Sequence, residues 1–96
     1  IPYDFVLDQN FPNPFNPVTN IRFGLSEQSM TTLVIYNILG KNVRTIVNES
    51  LNAGFYNYKI SMDGLPSGMY FYKLTATGEV NSRDKFDEVK KMILIR

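Results

Sequence analysis

The chain has 96 residues, a formal net charge of +1, no histidine and no cysteine. That length gives one domain, which buries roughly two-thirds of the surface its unfolded chain would expose and so can form a core without metals or disulfides. The charge is too small for a nucleic-acid face, cysteine chemistry and a disulfide framework are excluded, and no apolar run approaches a membrane span.

Hydrophobic residues make up 44% of the chain and aromatics 14%, all of them Phe or Tyr, which suits pleated strands with one buried face. Ten asparagines favour turns. At the start, Tyr3, Phe5 and Leu7 alternate in a short strand or extended lead-in. The chain begins at Ile1 without an initiator Met or a signal peptide, so it reads as a single domain, 1–96, excised from a longer protein.

Next comes Phe11-Pro12-Asn13-Pro14-Phe15-Asn16-Pro17. Proline donates nothing to a sheet ladder and biases the preceding residue to extended backbone. The spacing predicts a stiff strap that crosses one end of a sandwich and blunts an exposed edge. Phe11 and Phe15 are its expected anchors. A proline-rich ligand motif is the weaker reading, because asparagines interrupt the PxxP pattern.

From Thr19 the period is two, with Ile21, Phe23 and Leu25 on one face and Asn20, Arg22 and Gly24 on the other. Glu27 to Ser29 form a turn. Met30 to Asn37 is a strand with Leu33 and Ile35 opposite Thr32, Val34 and Tyr36, and a hairpin closes at Gly40. Val43 to Val47 forms the next strand. A turn at Asn52 to Gly54 leads into a strand with Tyr56, Tyr58 and Ile60 on one face. The dense turn Asp63 to Gly68 feeds a strand from Met69 to Thr75, in which Tyr70, Tyr72 and Leu74 alternate with Met69, Phe71 and Lys73. A polar hairpin from Thr77 to Asp87 precedes a last strand, Val89 to Arg96. About seven short strands without helical periodicity predict an all-β, immunoglobulin-like antiparallel sandwich.

The residues offer little for catalysis. Histidine, the commonest general base and metal ligand, is missing. No serine sits in a nucleophile elbow or beside a plausible lysine partner. Asp84, Asp87 and Glu88 lack the spacing and glycine of a calcium loop and read as a solvated hairpin interleaved with Arg83 and Lys85. The chain is expected to be no enzyme and to need no cofactor. Tyr36, Phe55 and Phe71 fall opposite the main core pattern. They could stack on sugar rings, but cross-strand aromatic pairing or a partly covered face is the favoured reading.

Four blocks in order carry a resemblance. Gln9-Asn10-Phe11-Pro12-Asn13-Pro14-Phe15-Asn16-Pro17-Val18-Thr19-Asn20-Ile21 resembles the start of the C-terminal sorting domain of the bacterial type IX secretion system. Leu33 to Val43 is similar to that family's strand, Asn/Asp-x-x-Gly hairpin and following strand. Gly64 to Leu74 is similar to its Gly-x-Tyr strand, and Lys90 to Arg96 to its basic-apolar ending. The sandwich also resembles flagellar hook-cap immunoglobulin-like domains and C-terminal modules of secreted enzymes, and the proline strap favours the sorting family. The segment from Gly78 to Val89 is longer and more charged than the family's short hairpin.

The resemblance implies a folded, non-catalytic address label. An upstream passenger would reach the periplasm, cross the outer membrane through the secretion translocon, and be released or held at the cell surface after a sortase removes the domain. By position it implies partner recognition at Gly68, Tyr70, Lys91, Met92, Leu94 and Arg96. Pro12, Asn13, Pro14, Phe15 and Pro17 form a weaker candidate strap. A last strand at a sheet edge offers its backbone for strand addition, with Lys90, Lys91 and Arg96 bracketing Met92 to Ile95. The alternative is an accessory module of a secreted hydrolase that binds polysaccharide, or a structural spacer.

Overall fold

Period-two alternation builds seven strands and no helix in the computed structural model, which describes residues 1–96. The strands are β1 (Val6–Leu7), β2 (Val18–Leu25), β3 (Ser29–Tyr36), β4 (Asn42–Leu51), β5 (Gly54–Ser61), β6 (Gly68–Gly78) and β7 (Lys85–Leu94). They form two antiparallel sheets, in the order β1-β2-β5 and β4-β3-β6-β7. Three strands packed on four, with the chain crossing between sheets after β2, β4 and β5, is an immunoglobulin-like sandwich, as expected.

The core is the set of residues that the alternation turns inward. Ile21, Phe23 and Leu25 of β2 meet Leu33 and Ile35 of β3, Tyr72 and Leu74 of β6, and Met92 and Leu94 of β7, all buried. Phe23 stacks with Tyr56 at 5.4 Å and Tyr58 at 5.9 Å between ring centres. Each such side chain contributes roughly 1.5–3 kcal/mol by leaving water, so the two inner faces specify the strand register.

Several boundaries differ from the sequence reading. The lead-in forms strand only at Val6–Leu7, where it pairs with Phe23 and Gly24, and Tyr3 is exposed. Gly24 leaves room for that pairing: a Cβ there would lie 3.0 Å from the Phe55, Pro2 and Val6 side chains. Ser29 belongs to β3, since it pairs with both Leu51 and Gly78. β4 continues to Leu51 for the same reason. β6 and β7 remain paired out to Thr77 and Lys85, which reduces the predicted polar hairpin to the turn between Gly78 and Lys85.

Candidate functional site

The strap owes its position to buried polar groups that need partners. Tyr72 is fully buried on β6, and its hydroxyl accepts a hydrogen bond from the Asn10 N–H (2.8 Å) and donates to the Asp8 carbonyl (2.8 Å). Burial pushes its pKa up to about 12, although the Asn10 N–H opposes that shift. The Asn10 side chain donates to Thr19 Oγ1 (3.0 Å) and the Pro12 carbonyl (3.1 Å), and the Thr19 hydroxyl donates to the same carbonyl (2.8 Å). An amide, two hydroxyls and a carbonyl thus satisfy one another where prolines cannot donate, and the strap entry is fixed.

From there the strap runs along the edge of β7. Gln9 Nε2 donates to the Lys91 carbonyl (2.8 Å), and the Ile93 N–H donates to Asn13 Oδ1 (3.0 Å). The Phe15 N–H donates to the Ile93 carbonyl (3.0 Å), and the Ile95 N–H donates to the Phe15 carbonyl (2.9 Å), making a parallel bridge between Phe15 and Leu94. Residues 91, 93 and 95 are those whose main-chain groups point away from β6. The edge-blunting strap read from the prolines is therefore present, and the edge it blunts is the C-terminal end of the last strand.

This alters two expectations. Phe15 is an anchor, only 3% exposed, but Phe11 is 78% exposed and anchors nothing. Phe11 instead contributes main-chain bonds to Asn20 in both directions (3.0 and 2.9 Å). The second concerns the backbone of Met92 to Ile95. β7 does lie at a sheet edge, but at that end the strap already fills the place where a partner strand would add.

The remaining predicted residues converge on the same corner. Gly68 pairs with Leu94, Tyr70 with Met92 and Phe71 with Lys91. Gly68 has φ of 149°, which side-chain-bearing residues rarely adopt. The Tyr70 hydroxyl donates to the Pro66 carbonyl (2.6 Å), four residues upstream at the β5–β6 connection, which is the geometry of a tyrosine corner. Arg96 reaches the Leu65 carbonyl (2.6 Å) and Asp63 (3.3 Å). Tyr70, Met92, Leu94 and Phe15 face the core, whereas Lys91 and Arg96 are exposed, as are Pro12, Asn13 and Pro14; Pro17 is half-buried. Ile93 (40% exposed) and Ile95 (50%) share the outer surface with Lys91. The sequence reading singled out neither as a site residue. Their place in an alternating terminal strand was the signal for Ile93.

The three aromatics off the core pattern do not form one flat row. Tyr36 and Phe71 are register partners on the outer face of the four-stranded sheet, both half-buried. Phe55 lies on the other sheet with the Arg22 guanidinium 4.3 Å above its ring, and Arg22 is itself paired with Asp8 at 3.1 Å. Asp87 pairs with Lys73 and Glu88 with Lys90. The Glu27 carboxyl is raised above its usual range, chiefly by its hydrogen bond with Asp84.

Fold and corner together define an immunoglobulin-like β-sandwich whose own N-terminal strap clasps its last strand. Residues 9–93 match the family model described as the secretion system C-terminal sorting domain, and the chain belongs to that family. Its domain is the sorting signal of type IX secretion, which directs export to the cell surface or extracellular space; the family is non-catalytic in general. No curated protein and no solved structure is significantly similar to the chain.

Proposed function

We propose that residues 1–96 form one address domain, itself without catalytic activity, that carries an upstream passenger from the periplasm through the outer-membrane translocon. Recognition takes place at the corner where the strap, the Gly68–Tyr70 segment and the last strand meet. The observation that carries this reading is the convergence of three sequence blocks, the strap about 80 residues and the Gly68–Tyr70 segment about 25 residues before the last strand, on Leu94 and its neighbours. Because Tyr70, Met92 and Leu94 are buried, their role is to set the shape of the corner. The surface a partner meets is Lys91, Ile93, Ile95 and Arg96, with the exposed prolines beside them.

A sortase cut in the linker before Gln9 would then release the passenger or leave it at the surface. β1 pairs with β2 at Val6 and Leu7, and Asp8 and Gln9 are hydrogen-bonded into the sandwich, so the cut falls upstream of Val6, before the first strand. The test is a passenger fused to the chain and expressed in a type IX-competent host. The expected result is passenger outside the cell, with an intact mass lower by the mass of this domain, and passenger without the domain held in the periplasm. Equal export with and without the domain would overturn the reading. Export at full mass would remove only the sortase step.

A further inference from the structure

β3 stops pairing with β6 at Tyr36 and Phe71, because the chain turns at Asn37. The Asn37 N–H donates to the Lys41 carbonyl, its carbonyl accepts from the Gly40 N–H, and its Oδ1 accepts from the Leu39 and Lys41 N–H groups. β6 nevertheless continues to Gly68, paired there with β7 alone. Met69 and Ile93 are register partners, and the Ile93 N–H and carbonyl turn away from β6 to the strap. In an antiparallel ladder this makes them a non-hydrogen-bonded pair, so the Met69 N–H and carbonyl turn the opposite way. They point to the side that β3 has left, where no strand pairs with them.

That side is an open groove of about 420 Å³. Ile38, Leu39 and Val43 wall it on the hairpin side, and Leu65, Pro66 and Met69 on the corner side. Ile38 is 68% exposed and Leu39 87%. The turn requires Asn37 and a glycine at φ 80°, Gly40, but nothing in it requires two large aliphatic side chains. The charges on the hairpin that walls the groove have one sign. Lys41 follows the turn, and the Arg44 guanidinium donates to the Val43 carbonyl; neither is paired with a carboxylate. The adjacent acid, Asp63, is taken by Arg96.

We propose that this groove binds an extended, apolar segment of a partner protein that carries acidic residues and adds as a strand to β6 beside Met69. Unpaired main-chain groups select an extended backbone, the aliphatic walls select apolar side chains at alternate positions, and Lys41 and Arg44 select flanking carboxylates. The inference deepens the sorting reading, on which it rests only for placing the partner in the export machinery.

The test is an NMR titration of the labelled chain with a short synthetic peptide of alternating Val and Thr, closed at each end by Glu. Binding should shift the amides of Ile38, Leu39, Val43 and Met69. A Lys-ended peptide and the Leu39→Glu variant should each bind about tenfold more weakly, and a peptide N-methylated along the edge facing β6 should not bind. Absence of shifts, shifts confined to other sheet edges, or equal binding of the N-methylated peptide would overturn the proposal. In a passenger fusion, Ile38→Asp with Leu39→Asp should reduce export while leaving Tm unchanged, since both positions are exposed. Undiminished export by that variant together with no peptide binding removes the groove but leaves the sorting reading intact. Export of a passenger lacking the whole domain removes the sorting reading, and the titration then still decides the groove.

Discussion

The Asn10 N–H donates to the Tyr72 hydroxyl across 62 residues of sequence, at 2.8 Å and out of contact with water. The same hydroxyl donates to the Asp8 carbonyl, so one side chain of the four-stranded sheet holds both main-chain groups that lead into the strap. Removing it by Tyr72→Phe leaves the Asn10 N–H buried and unpaired, at a cost of about 1–3 kcal/mol. Urea unfolding should show that loss. Hydrogen exchange at the Ile93 and Ile95 amides should speed up by more than the global destabilisation alone explains, because the strap that caps them is loosened.

The same hydroxyl gives a pH signature. Its native pKa is pushed up to about 12, above the ordinary tyrosine value of 10 shared by the unfolded chain. Between those values the native state holds a proton that the unfolded state has released, so stability is full below about pH 10 and falls as pH rises towards 12. Ultraviolet titration of the folded chain should show a tyrosine step near pH 12, and Tyr72→Phe should remove that step.

Phe11 and Phe15 have nearly the same local sequence and opposite fates. Phe15→Ala removes a ring that is 3% exposed and should cost about 3–5 kcal/mol. Phe11→Ala removes a ring that is 78% exposed and should change stability by no more than about 0.5 kcal/mol. Paired thermal melts of the two variants decide the matter, and equal losses would contradict the burial pattern.

Gly78, at the end of β6, has no room for a side chain. A Cβ there would lie 2.6 Å from the Asn81 carbonyl oxygen, a main-chain atom of the turn that the Gly78 N–H closes onto Asp84 (2.8 Å). Gly78→Ala should therefore displace that turn and destabilise the fold by about 1–3 kcal/mol. Gly64→Ala tests a different cause, since its Cβ would meet nothing and only the φ of 88° opposes it. Unfolding curves of both variants separate crowding from backbone strain.

Alternation made most of the fold legible. Ile21, Phe23, Leu33, Ile35, Tyr72 and Leu74 all point inward where a period of two puts them. Three prolines within six residues also announced a strap that guards an edge. Which edge it guards was not legible, because the bridge from Phe15 to Leu94 joins the two ends of the chain and leaves no local mark. For the same reason the local sequence cannot separate Phe11 from Phe15. The period predicted that Tyr72 is buried, but the partners of its hydroxyl, 62 and 64 residues away, depend on the register of the whole sandwich. The site residues entered through resemblance to a family. The fold adds that Phe15, Tyr70, Met92 and Leu94 among them are core, and that the exposed Ile93 and Ile95 stand beside Lys91.

The claim that the outer face of the last strand is the sorting surface is tested most directly with a variant that keeps the fold. Lys91→Glu combined with Ile93→Thr alters two exposed side chains and leaves untouched the main-chain bonds to Gln9, Asn13 and Phe15. The measurement is the fraction of passenger outside the cell when fused to this variant, with the Tm of the purified domain as control. The expected result is an unchanged Tm with the passenger retained in the periplasm. An unchanged Tm with export equal to the unaltered fusion would contradict it.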